Sequence, residues 1–114
     1  MKELHKKKCI PCAAGASPLK GKELEPFYMQ LGEGWNIVDE HHLSKVFTFK
    51  TFDQALAFAV VIGKIANEEN HHPDLRVSWG KLGVEIWTHK INGLSESDFV
   101  LAAKIEAEWV SREG

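Results

Sequence analysis

Pro73 constrains the fold of this chain more than any other residue. Proline lacks the amide hydrogen that a helix interior needs and clashes with the preceding turn, so a regular helix stops short of it. His72, just before it, is driven towards extended backbone. On the N-terminal side lies the longest helical pattern of the sequence, from about Thr51 or Asp53 to Glu69. Its apolar residues include Phe52, Ala55, Leu56, Phe58, Ala59, Val60, Ile62, Ile65 and Ala66. On the C-terminal side the period changes to two: Leu75, Val77 and Trp79 alternate with Arg76 and Ser78, as in a strand.

The flanking segments fill in the order. Leu24, Phe27, Tyr28 and Leu31 recur at helical spacing, which predicts a first helix from Gly21 or Lys22 to about Leu31, ended by Gly32 and Gly34. Alternation over Trp35–Asp39 predicts a strand, His41–Ser44 a polar connection, and Val46–Phe49 a second strand. Gly80–Gly83 reads as a turn before a fourth strand, Val84–Thr88. A last helix from about Ser95 to Val110 carries Phe99, Leu101, Ala102, Ile105 and Trp109 on its apolar side. The order α-β-β-α-β-β-α predicts an α+β domain, a four-stranded antiparallel sheet with three helices on one face. At 114 residues there is room for one core. Residues 1–19 read as a flexible N-terminal tail and 20–114 as the domain. The long helix is apolar around more than one face, which predicts burial at a subunit interface.

A formal charge of −2 gives no electrostatic basis for binding nucleic acid or an anionic membrane. No apolar run is long enough to span a bilayer. The leader carries Lys2, Lys6, Lys7 and Lys8 and no apolar stretch, so a cytoplasmic setting is expected. Cys9 and Cys12 form a lone C-x-x-C with no second pair to complete a four-thiolate site. They are expected to be reduced thiols rather than metal ligands.

Chemistry concentrates after the long helix. His71 and His72 stand next to Pro73, and His89 and Asp98 return on later segments. Histidine titrates near neutrality and can both give and take a proton there. Each residue also has an ordinary reading. A His-His pair at a helix end suits the helix dipole and solvent, and Ser95 followed by Asp98 resembles a capping box. Trp35, Trp79 and Trp87 on short strands serve as core or sheet-face residues as readily as stacking partners for a flat heterocycle. A zinc site from His71, His72 and His89 is disfavoured, because adjacent residues direct their side chains apart. His41-His42 is a second such pair, in a loop, and is given no role.

Taken together, Gly34-Trp35, Phe47-Thr48-Phe49, His71-His72-Pro73, Trp79, Thr88-His89 and Gly93-Leu94-Ser95 leading to Asp98 resemble the pterin-4a-carbinolamine dehydratases. The likeness covers almost the whole chain after residue 19. It implies a sheet with three helices, assembled as a homodimer or homotetramer through the long helix and a sheet edge. It implies dehydration of 4a-hydroxytetrahydrobiopterin to quinonoid dihydrobiopterin without metal or redox cofactor, a step that recycles the pterin for aromatic amino acid hydroxylases. Carried over residue by residue, His71, His72 and His89 become the active-site histidines, with Asp98 the acidic residue beside His89. Trp35, Asn70, Pro73, Trp87, Thr88 and Lys90 become pterin-binding. Four residues before His71, where the family often has an ionisable side chain, this chain has Asn67. The family also contains members that act as partners of a transcription factor or in Rubisco assembly, so a non-catalytic dimerisation or assembly role is the alternative expectation. A metal-binding leader using Cys9 and Cys12 is a third.

Overall fold

The structure, a computed structural model, describes residues 4–9 and 17–113. Short 3-10 turns at Leu4–Lys6 and Gly21–Glu23 precede helix α1 (Glu25–Tyr28). Strands β1 (Asn36–Val38) and β2 (His42–Thr48) lead to helix α2 (Phe52–Glu69). Strands β3 (Asp74–Ser78) and β4 (Lys81–Ile86) follow, then a 3-10 turn at His89–Ile91 and helix α3 (Glu96–Glu113). The strands form one antiparallel sheet in the order β1-β2-β4-β3. This is the α+β order expected from the sequence.

Alternation places the core. Leu43 and Phe47 of β2 and Leu82, Val84 and Ile86 of β4 are buried, and they join Ala55, Phe58 and Ile62 of α2 and Phe99, Leu101 and Ile105 of α3 in one cluster. Val46, on the opposite face of β2, is 57% exposed. Phe47, Phe49, Phe58 and Trp109 pack ring against ring, with Trp109 4.9 Å from Phe47 and 5.4 Å from Phe58. Such pairs contribute beyond the area they bury.

Several boundaries differ from the sequence reading, each for a local reason. The β1–β2 turn is tighter, because Asp39 and Glu40 both adopt left-handed backbone, and β2 therefore starts at His42. Lys45 occupies an inward position of β2 and hides the alternation there. Its amine is satisfied by the Glu33 carbonyl at 2.7 Å and Glu106 Oε1 at 2.6 Å. The β3–β4 turn lies at Trp79-Gly80, not Gly80–Gly83: Gly80 has φ +69°, and Gly83 pairs inside β4. Trp79, at this turn, is 72% exposed rather than set in a sheet face. The first helix is a 3-10 turn followed by the short α1, with Pro26 at its start.

Thr51 caps α2, its hydroxyl accepting from the Gln54 amide at 3.1 Å. One face of α2 is buried through Ala55, Phe58, Ala59, Ile62 and Ala66. Phe52, Leu56 and Val60 form a separate exposed row, while Asp53, Gln54, Lys64 and Asn67 are also exposed, so α2 is not apolar all round. No helix among the described residues is long and apolar enough to cross a membrane. Of the segment expected to be a tail, residues 4–9 and 17–19 are described. Leu4 is 3% exposed within the core cluster, and the Leu19 amide donates to the Leu94 carbonyl at 2.8 Å. Cys12 lies outside the described residues.

Candidate active site

The end of α2 is shaped by Asn70, which adopts left-handed backbone (φ 54°, ψ 40°). Asparagine tolerates this conformation and commonly ends helices in this way. The Asn70 and His71 amides both donate to the Ala66 carbonyl, the latter at 3.1 Å. Pro73 then prevents resumption of the helix, and the chain turns into β3. His71 is thereby aimed at the start of α3, where its Nε2 lies 2.6 Å from Asp98 Oδ1.

Asp98 is fully buried. Its Oδ2 accepts from the Ser95 amide at 2.8 Å and from the Thr88 hydroxyl at 2.8 Å. The carboxylate thus caps α3 with one oxygen and engages His71 with the other. Because Asp98 as a carboxylate only accepts, His71 donates from Nε2. A neutral imidazole donating there carries its lone pair on Nδ1.

Thr88 ties in the third segment. It pairs with Gly93 through Thr88 N–H to Gly93 O at 2.8 Å and Gly93 N–H to Thr88 O at 3.4 Å, closing the loop that holds His89 to Asn92. A Cβ at Gly93 would stand 2.6 Å from Pro18 Cβ, so the loop and residue 18 fit only with glycine there. Gly93→Ala is accordingly expected to lose about 1–3 kcal/mol through overpacking, read as a lower urea midpoint at unchanged m-value.

Of the site residues expected from sequence, His71, Thr88 and Asp98 meet directly. His89 follows Thr88, is exposed, and lies with its ring 4.5 Å from that of Trp87. His72 is exposed and donates from Nε2 to Asn67 Oδ1 at 3.0 Å, so a neutral amide takes the acceptor role at that position. Asn70 and Lys90 are exposed and Pro73 is half-buried.

Two expectations are corrected. Asp98 pairs with His71 rather than His89, because the first turn of α3 faces the end of α2 whereas the His89 ring lies against Trp87. Trp35 is placed in the core: it is 2% exposed, packs edge-on to Phe47, and donates from its indole to Glu106 Oε1 at 2.9 Å. The sequence reading also passed over His41 and His42. Their rings lie 5.2 and 5.9 Å from Trp87, their Nδ1 atoms are 3.0 Å apart, and His41 Nε2 donates to Asn92 Oδ1 at 2.9 Å. Register explains it: Leu43 pairs with Ile86, which puts the start of β2 beside Trp87. Among the described residues, no three His, Cys, Asp or Glu side chains are grouped to hold a metal ion.

This arrangement pairs one imidazole, His71, with a buried carboxylate and sets further histidines around Trp87. A sequence profile of the pterin 4 alpha carbinolamine dehydratase family matches residues 17–108. Two similar proteins carry the name "Putative pterin-4-alpha-carbinolamine dehydratase". The one from Rubrobacter xylanophilus is 52% identical over 93% of this chain and 98% of its own length. The other, from Alkaliphilus metalliredigens, is 49% identical over 95% of this chain and 97% of its own. A crystal structure of a transcriptional coactivator/pterin dehydratase from Brucella melitensis superposes with TM-score 0.73 at 29% identity, covering 80% of this chain and 97% of that one. A pterin dehydratase-like protein described as a RuBisCO assembly factor in the alpha-carboxysome shares the fold, with TM-score 0.56 at 19% identity and coverage of 66% and 88%. The chain belongs to the pterin-4a-carbinolamine dehydratase family.

Proposed function

We propose that this protein dehydrates 4a-hydroxytetrahydrobiopterin to quinonoid dihydrobiopterin, returning the pterin to aromatic amino acid hydroxylases. The observation that carries the reading is the 2.6 Å contact between His71 and a buried Asp98 that also receives Thr88, the residue before His89. In the reaction the proton on the ring nitrogen next to C4a is removed and the C4a–O bond breaks. A proton joins the departing oxygen, a carbon–nitrogen double bond forms, and water leaves.

In this scheme His71 Nδ1 takes the ring proton, with Asp98 stabilising the imidazolium that forms. His89 protonates the departing oxygen. His72, oriented by Asn67, binds and orients the pterin, with Asn70, Pro73, Trp87, Thr88 and Lys90 alongside it. Trp87, packed among His41, His42 and His89, offers a ring face for stacking the flat heterocycle. Self-association fits the exposed row Phe52, Leu56 and Val60, whose burial in a homodimer or homotetramer would remove apolar surface from water.

The decisive residue outside the His71–Asp98 pair is His89. His89→Ala is expected to slow dehydration about 10²–10⁴-fold, the usual worth of a general acid or base. Disappearance of a 4a-hydroxytetrahydropterin generated in situ reads this out. A variant as fast as the wild type would remove His89 from the scheme.

A further inference from the structure

We propose that residues 4–9 and 17–19 act as positioning straps for the candidate active site, holding in register the segments that carry His71, Asp98 and His89. The inference rests on the dehydratase reading for its kinetic consequence, though not for its structural one.

Three anchors support it: one at Cys9, one of ion pairs and hydrogen bonds at residues 5 and 7, and one at residues 18 and 19. At Cys9 the backbone amide donates to Glu69 Oε1 at 2.9 Å, and the thiol donates to the Ser97 carbonyl at 3.4 Å. Glu69 stands two residues before His71, and Ser97 immediately precedes Asp98. One residue therefore spans the gap that the His71–Asp98 hydrogen bond must cross. Around it, Lys7 pairs with Glu96, and Lys104 donates to the His5 carbonyl at 2.9 Å while lying 3.6 Å from Glu69. Leu4 is set in the core beneath. The third anchor is at residues 18 and 19. Pro18 packs onto Gly93, and the Leu19 amide donates to Leu94 O, bracing the loop that begins with His89.

The chemistry of Cys9 suits this role. Burial, and then the neighbouring Glu69 carboxylate, push its thiol up to about 12, so at neutral pH it remains an S–H donor. Glu69 in turn is held below the usual carboxylate range, first by the Cys9 amide and also by Lys104, and stays an acceptor. A catalytic pair displaced by a fraction of an ångström loses rate without losing its residues.

The test uses Cys9→Ala, Cys9→Ser and a chain lacking residues 1–9, each compared with wild type by proton NMR and by turnover of a 4a-hydroxytetrahydropterin. The reporter is the His71 Nε2 proton, shifted downfield by its short bond to Asp98 and assigned by its absence in His71→Gln. In Cys9→Ala this resonance is expected to move upfield or broaden, and kcat to fall about tenfold with KM little changed. Cys9→Ser, which restores a hydroxyl donor, should recover much of both. An unaltered resonance together with unaltered kcat in folded Cys9→Ala would overturn the strap, as would a kcat loss that merely follows the unfolded fraction. Should the truncated chain fail to fold, the two point variants decide. If the wild type shows no dehydration at all, the functional reading fails while the resonance still tests the strap.

Discussion

Replacing His71 by alanine is expected to lower kcat for pterin dehydration by about 10²–10⁴-fold, the range for loss of one general base. The side chain bonds Asp98 and is 16% exposed, so the variant should still fold. Its stability cost is the loss of one hydrogen bond to a buried carboxylate, about 1.5–3 kcal/mol. KM should change less than kcat, because the proposed scheme has His71 act on the transition state rather than hold the ground state. His72→Ala should show the opposite balance, raising KM more than it lowers kcat, since His72 is assigned to binding. Steady-state turnover of the two variants side by side separates these roles. Equal kcat losses at both positions would deny His71 its special place beside Asp98.

The largest stability effect is expected at Asp98. Alanine there strips acceptors from the His71 imidazole, the Thr88 hydroxyl and the Ser95 amide together, and removes the cap of α3. Losing one member of a buried, hydrogen-bonded charged group costs about 3–5 kcal/mol, measurable as a lower midpoint in urea. Asp98→Asn is the sharper variant. Its amide oxygen can still accept from Thr88 and Ser95, so most of the cap survives. Its NH₂ group would then face His71 Nε2 and favour the tautomer protonated at Nδ1. That is the wrong nitrogen for a base, and activity should fall about 10²–10⁴-fold with a much smaller stability loss.

Much of this was legible in the sequence because period and punctuation agree. Pro73 and the switch from helical to alternating spacing fix the centre of the fold, and Thr51 marks the start of α2. Readability failed where a side chain's tertiary partner overrides its local preference. Lys45 faces the core because Glu106 and the Glu33 carbonyl receive its amine, which no local pattern announces. Gly83 reads as a turn residue but lies within a central strand. Within the site, the histidines were visible but their pairing was not. Asp98 is closer in sequence to His89 than to His71, yet the first turn of α3 is aimed at α2, and the carboxylate reaches His71. The Cys9 anchors join residues far apart in sequence, and only folding brings them together.

The central claim is that a His71–Asp98 pair drives dehydration of a 4a-hydroxytetrahydropterin. It is tested most directly by following the decay of that compound, generated in situ, with buffer, wild type and Asp98→Asn. The wild type is expected to accelerate the decay, and Asp98→Asn, though folded, to return it close to the buffer rate. A wild type no faster than buffer would contradict the dehydratase reading, and a folded Asp98→Asn as fast as wild type would contradict the role of the pair.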